Sequence, residues 1–166
     1  MNKMITSIFI VSIFGFQSLF AMAGGQNPNQ NLLIGAQEGD LAQVMAAVAQ
    51  NANINAATAN NTTALNLAAI NDHYDVARYL IERGARINRA NASGDTPLHN
   101  AVDIVSPDIV KLLLEKGAKP TLRNNQGQTP ADIVQTLDPE QQTEPDVQRI
   151  RQYFIEAARP TPEIAL

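Results

Sequence analysis

Apolar residues come in paired short runs along this chain, each pair broken by polar turn residues. Leu32, Leu33, Ile34 and Ala36 are followed by Leu41, Val44, Met45 and Val48. Leu65, Leu67 and Ala68 are followed by Val76, Ala77, Leu80 and Ile81. Ile109, Val110, Leu112, Leu113 and Leu114 form a third outer run, and Val147, Ile150, Phe154 and Ile155 a fourth. Spacings of three and four predict amphipathic helices of two to three turns. The punctuation agrees. Gly39 closes the first helix, and Asp40, with Gln43 three residues on, opens the second as a capping-box pattern. Helices are expected over 64–70 and 74–83, from Pro97, from Ser106-Pro107-Asp108, and over 146–158. The last of these turns Gln148, Arg149, Arg151, Gln152 and Glu156 outward.

The pairs repeat on a fixed beat. Thr63, Thr96 and Thr129 stand 33 residues apart, in Asn61-Thr62-Thr63-Ala64-Leu65-Asn66, Gly94-Asp95-Thr96-Pro97-Leu98-His99 and Gly127-Gln128-Thr129-Pro130-Ala131-Asp132. A second marker keeps the same beat: Ala49-Gln50-Asn51-Ala52, Glu82-Arg83-Gly84-Ala85 and Glu115-Lys116-Gly117-Ala118. Asn51 replaces a helix-ending glycine with the residue that best tolerates the left-handed conformation. Such a period signals stacked repeats, in which no unit buries its own apolar face and several together do. The period and the Thr-Pro-Leu-His run resemble the ankyrin repeat over about 32–158.

That resemblance implies an all-α solenoid of about four helix-turn-helix units with projecting β-hairpin-like loops. The units are 31–57, a cap; 58–90; 91–123; and 124–158, a second cap. It implies that His99 hydrogen-bonds neighbouring loops and that His73 bonds backbone at a turn. Tyr79, aligned with Leu112, reads as core. Two departures stand out. Val105 occupies the place of the glycine between the helices, so the turn there must change conformation or accept strain. In the last unit the second helix is delayed by about five residues, Asp138 to Glu144, bracketed by Pro139 and Pro145. Partner contacts are implied on the fingertips and the outward positions of the first helices: Asn60, Thr62, Ile70, Asn71, Ala92, Ser93, Asp95, Asp103, Ile104, Asn125, Gln126 and Gln128, flanked by Arg86, Arg89 and Arg123. Two full recognition units suit an interface of roughly 600–800 Å² per partner.

The ends read differently. Lys3, an uncharged apolar stretch from Met4 to Phe20, and Ala21-Met22-Ala23 form a secretory signal with cleavage expected after Ala23; an uncleaved anchor is the competing reading. Residues 24–30 read as a flexible polar spacer and 159–166 as a tail. A periplasmic or secreted monomer is expected, with membrane attachment only if the signal segment stays.

Composition narrows the chemistry. The net charge is −4, and −5 once Lys3 is removed with the signal. No basic stripe appears, which argues against nucleic acid. With no cysteine, thiolate metal sites and disulfides are excluded. No phosphate loop, His-Glu-x-x-His motif, metal-ligand cluster or nucleophile–base pair is present. The sequence therefore predicts a non-enzymatic protein-binding module without cofactor or metal. The alternatives are a secreted effector, an inhibitor or protection factor of a periplasmic enzyme, and a structural envelope component.

Overall fold

The computed structural model describes residues 27–137 and 140–159. Its helices are α1 (Pro28–Glu38), α2 (Leu41–Ala49), α3 (Ala64–Ile70), α4 (Tyr74–Glu82), α5 (Pro97–Asp103), α6 (Pro107–Glu115), α7 (Pro130–Thr136) and α8 (Pro145–Ala157), with a 3-10 turn at Gln141–Thr143 before α8. The odd-numbered helices stack in one row, α1 on α3 on α5 on α7, and the even-numbered ones form a second row behind them. Among the described residues the molecule is all-helical, and the loops carry a single antiparallel bridge, Ala57 to Thr63. The projecting loops are thus tight turns, not paired strands.

Two helix rows share one core. Leu32, Leu65 and Leu98 occupy equivalent positions of α1, α3 and α5 and are all buried. Val44, Ala77 and Val110 do the same on α2, α4 and α6, beside Ala47, Leu80 and Leu113. Small residues in the repeat (Ala36, Ala68, Ala69, Ala101) let the helices approach closely, which is why a chain with so few aromatics fills its interior.

The caps are local chemistry repeated three times. Thr63, Thr96 and Thr129 each accept the amide of the third helical residue, and that residue's side chain (Asn66, His99, Asp132) returns a bond to the threonine amide. Two otherwise unpaired backbone N–H groups at each helix start are satisfied in this way. Asp40 accepts the Gln43 amide at 2.9 Å.

Backbone strain follows the same beat. All nine positive-φ residues among those described fall on three repeat positions: Gly39, Asp72 and Val105; Asn51, Gly84 and Gly117; Asn61, Gly94 and Gly127. Val105 keeps the turn its register demands and holds φ 56, a conformation that strains a β-branched residue. The expected departure is thus resolved as strain and not as a new turn.

Several details correct the sequence reading. Residues 28–30 are not spacer but the first turn of α1, because Asn27 caps it through the Asn29 amide and Pro28 sits at its first position. Met45 and Ile155, read as inward, are 47% and 54% exposed, and Ile34 is 37% exposed; Met45 stands in the register of Arg78 and Lys111, which are exposed in the middle units too. The Ser106 side chain does not cap α6. Its hydroxyl donates instead to Asp72 Oδ1 in the preceding unit. Pro145 lies inside the first turn of α8, not ahead of it. The delayed α8 leans mainly on α6 rather than on α7, tied there by Arg149, which donates to Asp108 at 2.8 Å. The signal segment, the start of the spacer, Asp138, Pro139 and the tail beyond residue 159 lie outside the described residues.

Candidate functional site

Each finger is closed by its first residue. Asn91 Oδ1 accepts the amides of Ser93 and Asp95, and Asn124 Oδ1 those of Gln126 and Gln128, all between 2.9 and 3.1 Å. Thr58 Oγ1 accepts the Thr62 amide at 3.3 Å. Asx-type bonds of this kind hold a turn without any strand beside it.

The fingers then zip to one another. The Ala92 amide donates to Asn60 O at 2.8 Å, and one period later the Asn125 amide donates to Ser93 O at 3.0 Å. Asn55 Oδ1 accepts the Arg86 amide, and one period later Asn88 Oδ1 accepts the Lys119 amide. Deeper in, Asn66 Nδ2 donates to Asp95 O, and His99 Nε2 lies 3.0 Å from Gln128 O. Because the Thr96 amide donates to His99 Nδ1, the ring carries its hydrogen on Nε2 and donates to Gln128 O. His99 is 1% exposed and ties units three and four, as its motif implies. His73 bonds Gln37 O, the backbone of the preceding unit, at 3.1 Å.

These links sort the predicted contact residues. Asn60, Ala92, Ser93, Asn125 and Gln126 are exposed at the fingertips, and Ile70, Asn71, Asp103 and Ile104 at the ends of α3 and α5. Thr62, Asp95 and Gln128 are half-buried. Some are already committed inside the molecule. Asp95 Oδ1 accepts Asn124 Nδ2, Asn125 Nδ2 donates to Ala92 O, and Asn71 Nδ2 donates to Leu67 O at its own helix end. The side chains of Asn60, Ser93, Gln126 and Asp103 make no hydrogen bond among the described residues. Of the flanking arginines, Arg89 donates to Asn55 O and Arg123 to Gly127 O and Asp132.

Asp95, Asp103, Gln126 and Gln128 share one groove of about 340 Å³, where the last two fingers meet α5 and α7. His99, Asn100, Asn124, Ile133 and Thr136 complete its wall. Asn100 is absent from the expected set. Its signal was present in the sequence: the equivalent positions are Ile34, Leu67 and Ile133, so one amide interrupts an apolar row. Near the last finger, the Asp132 carboxylate is held below the usual range by the Thr129 amide, then by the Thr129 hydroxyl, with Arg123 assisting. Among the described residues no three His, Asp or Glu side chains converge in a metal-binding group, and no helix is long and apolar enough to cross a membrane.

A stack of paired helices with fingers laced edge to edge defines a repeat scaffold for recognising other macromolecules. The ankyrin-repeat family model, in three copies, matches residues 32–124, and the chain belongs to that family, whose repeats serve as protein–protein interaction modules. No curated protein matches the chain.

Proposed function

We propose that this chain is a non-enzymatic, exported adaptor that binds a partner protein through its finger loops and the adjoining face of α3, α5 and α7. One observation carries the reading. The fingers are fixed to each other by main-chain bonds, yet the Asn60, Ser93 and Gln126 side chains project without internal partners. A pre-ordered backbone presenting uncommitted polar groups lowers the entropic cost of binding. Export is supported by Lys3, the apolar stretch after it and Ala21-Met22-Ala23; the periplasm or the medium is the destination.

Affinity capture with the full chain, from envelope extract and from culture medium of the source cell, tests the binding role. The expected result is one dominant protein that is lost with Asn60→Ala, Ser93→Ala and Gln126→Ala combined. The fold should hold, since exposed side chains of this kind change stability by about 0.5 kcal/mol or less each. Capture that survives the triple variant would refute the fingertip assignment. Export is tested by N-terminal sequencing of the protein recovered outside the cytoplasm, with Gly24 expected first.

A further inference from the structure

The repeat aligns one row of inner-helix positions, Ile34, Leu67, Asn100 and Ile133, one residue per unit, and the last two line the groove. Asn100 is only 9% exposed, and its Nδ2 is buried with no hydrogen-bond partner among the described residues. A buried donor left unpaired destabilises a fold, and Asn is a weaker helix former than the leucine at the equivalent position of α3. The stack itself gains nothing from this amide. It does line the groove, together with Asp95 and Asp103. Neither carboxylate enters any of the ion pairs among the described residues. The groove wall contains no lysine or arginine, and both nitrogens of its one histidine, His99, are engaged.

We propose that the groove between the third and fourth units receives a lysine or arginine side chain from an extended segment of the partner protein. Asp103 is the counter-ion, and Asn100 Nδ2 donates to a backbone carbonyl of the same segment. The terminal amide torsion of asparagine is broad, and turning Nδ2 toward the groove exchanges one unpaired buried amide atom for the other while bringing the donor to the ligand. A peptide supplies both halves of this match, the cationic head and the carbonyl; a bare cation supplies only the first. The proposal rests on the protein-binding reading and names what one part of that surface selects.

The test is an NMR titration of the isotope-labelled full chain with acetyl-arginine methylamide and acetyl-lysine methylamide. Acetyl-norleucine and acetyl-glutamate methylamides and free guanidinium are the controls. Saturable shifts of the Asn100 side-chain amide and of the Asp103 and Gln126 backbone amides are expected with one or both cationic probes, and guanidinium should leave the Asn100 amide unmoved. Asp103→Asn should weaken binding about tenfold, a loss of one ordinary charge-assisted contact, while Asp103→Glu retains it. Asn100→Leu should weaken binding about fivefold, the loss of one neutral hydrogen bond, yet raise Tm by about 2–8 °C, because it replaces an unpaired buried donor with the apolar residue type the rest of the row carries. Absent shifts, equal shifts from norleucine or glutamate, binding unchanged in Asp103→Asn, or a lowered Tm in Asn100→Leu would each overturn the proposal. The two readings fail separately. A partner captured equally by wild type and Asp103→Asn overturns this one alone, whereas a wild-type chain that captures no protein overturns the binding role.

Discussion

Two residues carry most of what is unusual at the smallest scale. Val105 sits at φ 56 in a register that the first unit fills with Gly39. Strain of this kind costs about 1–3 kcal/mol, and the side chain is only half-buried. Val105→Asn keeps a side chain there and tolerates the left-handed region, so a stability gain of about 1 kcal/mol is expected in chemical denaturation. An unchanged or lower midpoint would mean that valine packing outweighs the strain. Asp132 is the other. The Thr129 amide and hydroxyl hold its folded-state pKa below the ordinary value of about 3.9. Ionised Asp132 therefore favours the folded state above about pH 4, and this contribution declines as the pH falls through the lower, folded-state pKa. Asp132→Asn should flatten the acid limb of a Tm–pH profile below pH 4 and leave its slope above pH 6 untouched.

At the scale of elements, the informative comparison is between fingers. Gly94 and Gly127 share a register and have φ near 80 and 78. Their surroundings differ. A Cβ on Gly94 would stand 2.7 Å from the Asn125 amide nitrogen and 3.1 Å from the Asn124 carbonyl carbon, whereas on Gly127 it would meet nothing within 4 Å. Both Gly→Ala changes incur the left-handed penalty of about 1–2 kcal/mol. Gly94→Ala must also push the next finger away, so it should cost at least about 1 kcal/mol more. Equal costs would show that the fingers are not in register contact. The period alone reveals that both positions are turn glycines; only the stacked neighbour separates their roles.

For the molecule as a whole, cooperativity follows from the row of units, each held by its neighbours. Leu113 is fully buried near the middle of the stack, so Leu113→Ala should cost about 2–5 kcal/mol and shift a single unfolding transition. Ile150→Ala, at the terminal α8, should speed hydrogen exchange in α8 more than in α5. Much of this architecture was legible beforehand: the 33-residue register, the Asp40 cap and the helix-ending positions depend on contacts within a unit or on the period, and the role of His99 followed from the family resemblance. The readings that failed sit at the ends or between units. Met45 has the periodicity of a core residue, but its register faces solvent in every unit, where Arg78 and Lys111 stand exposed, and Ile155 lies exposed on the last helix. Ser106 has the sequence of a cap, yet Asp72 of the preceding unit takes its hydroxyl. Asn100 was not singled out from the sequence at all; its burial beside the last finger and α7 is set by the next unit. The sequence by itself determined the helices and the repeat, because those arise from bonds three or four residues apart and from a spacing that any repeat copies. Only the tertiary structure decided which fingertip groups remain free and which carboxylates share a groove with a buried amide, because those outcomes turn on side chains one whole unit apart meeting across the stack.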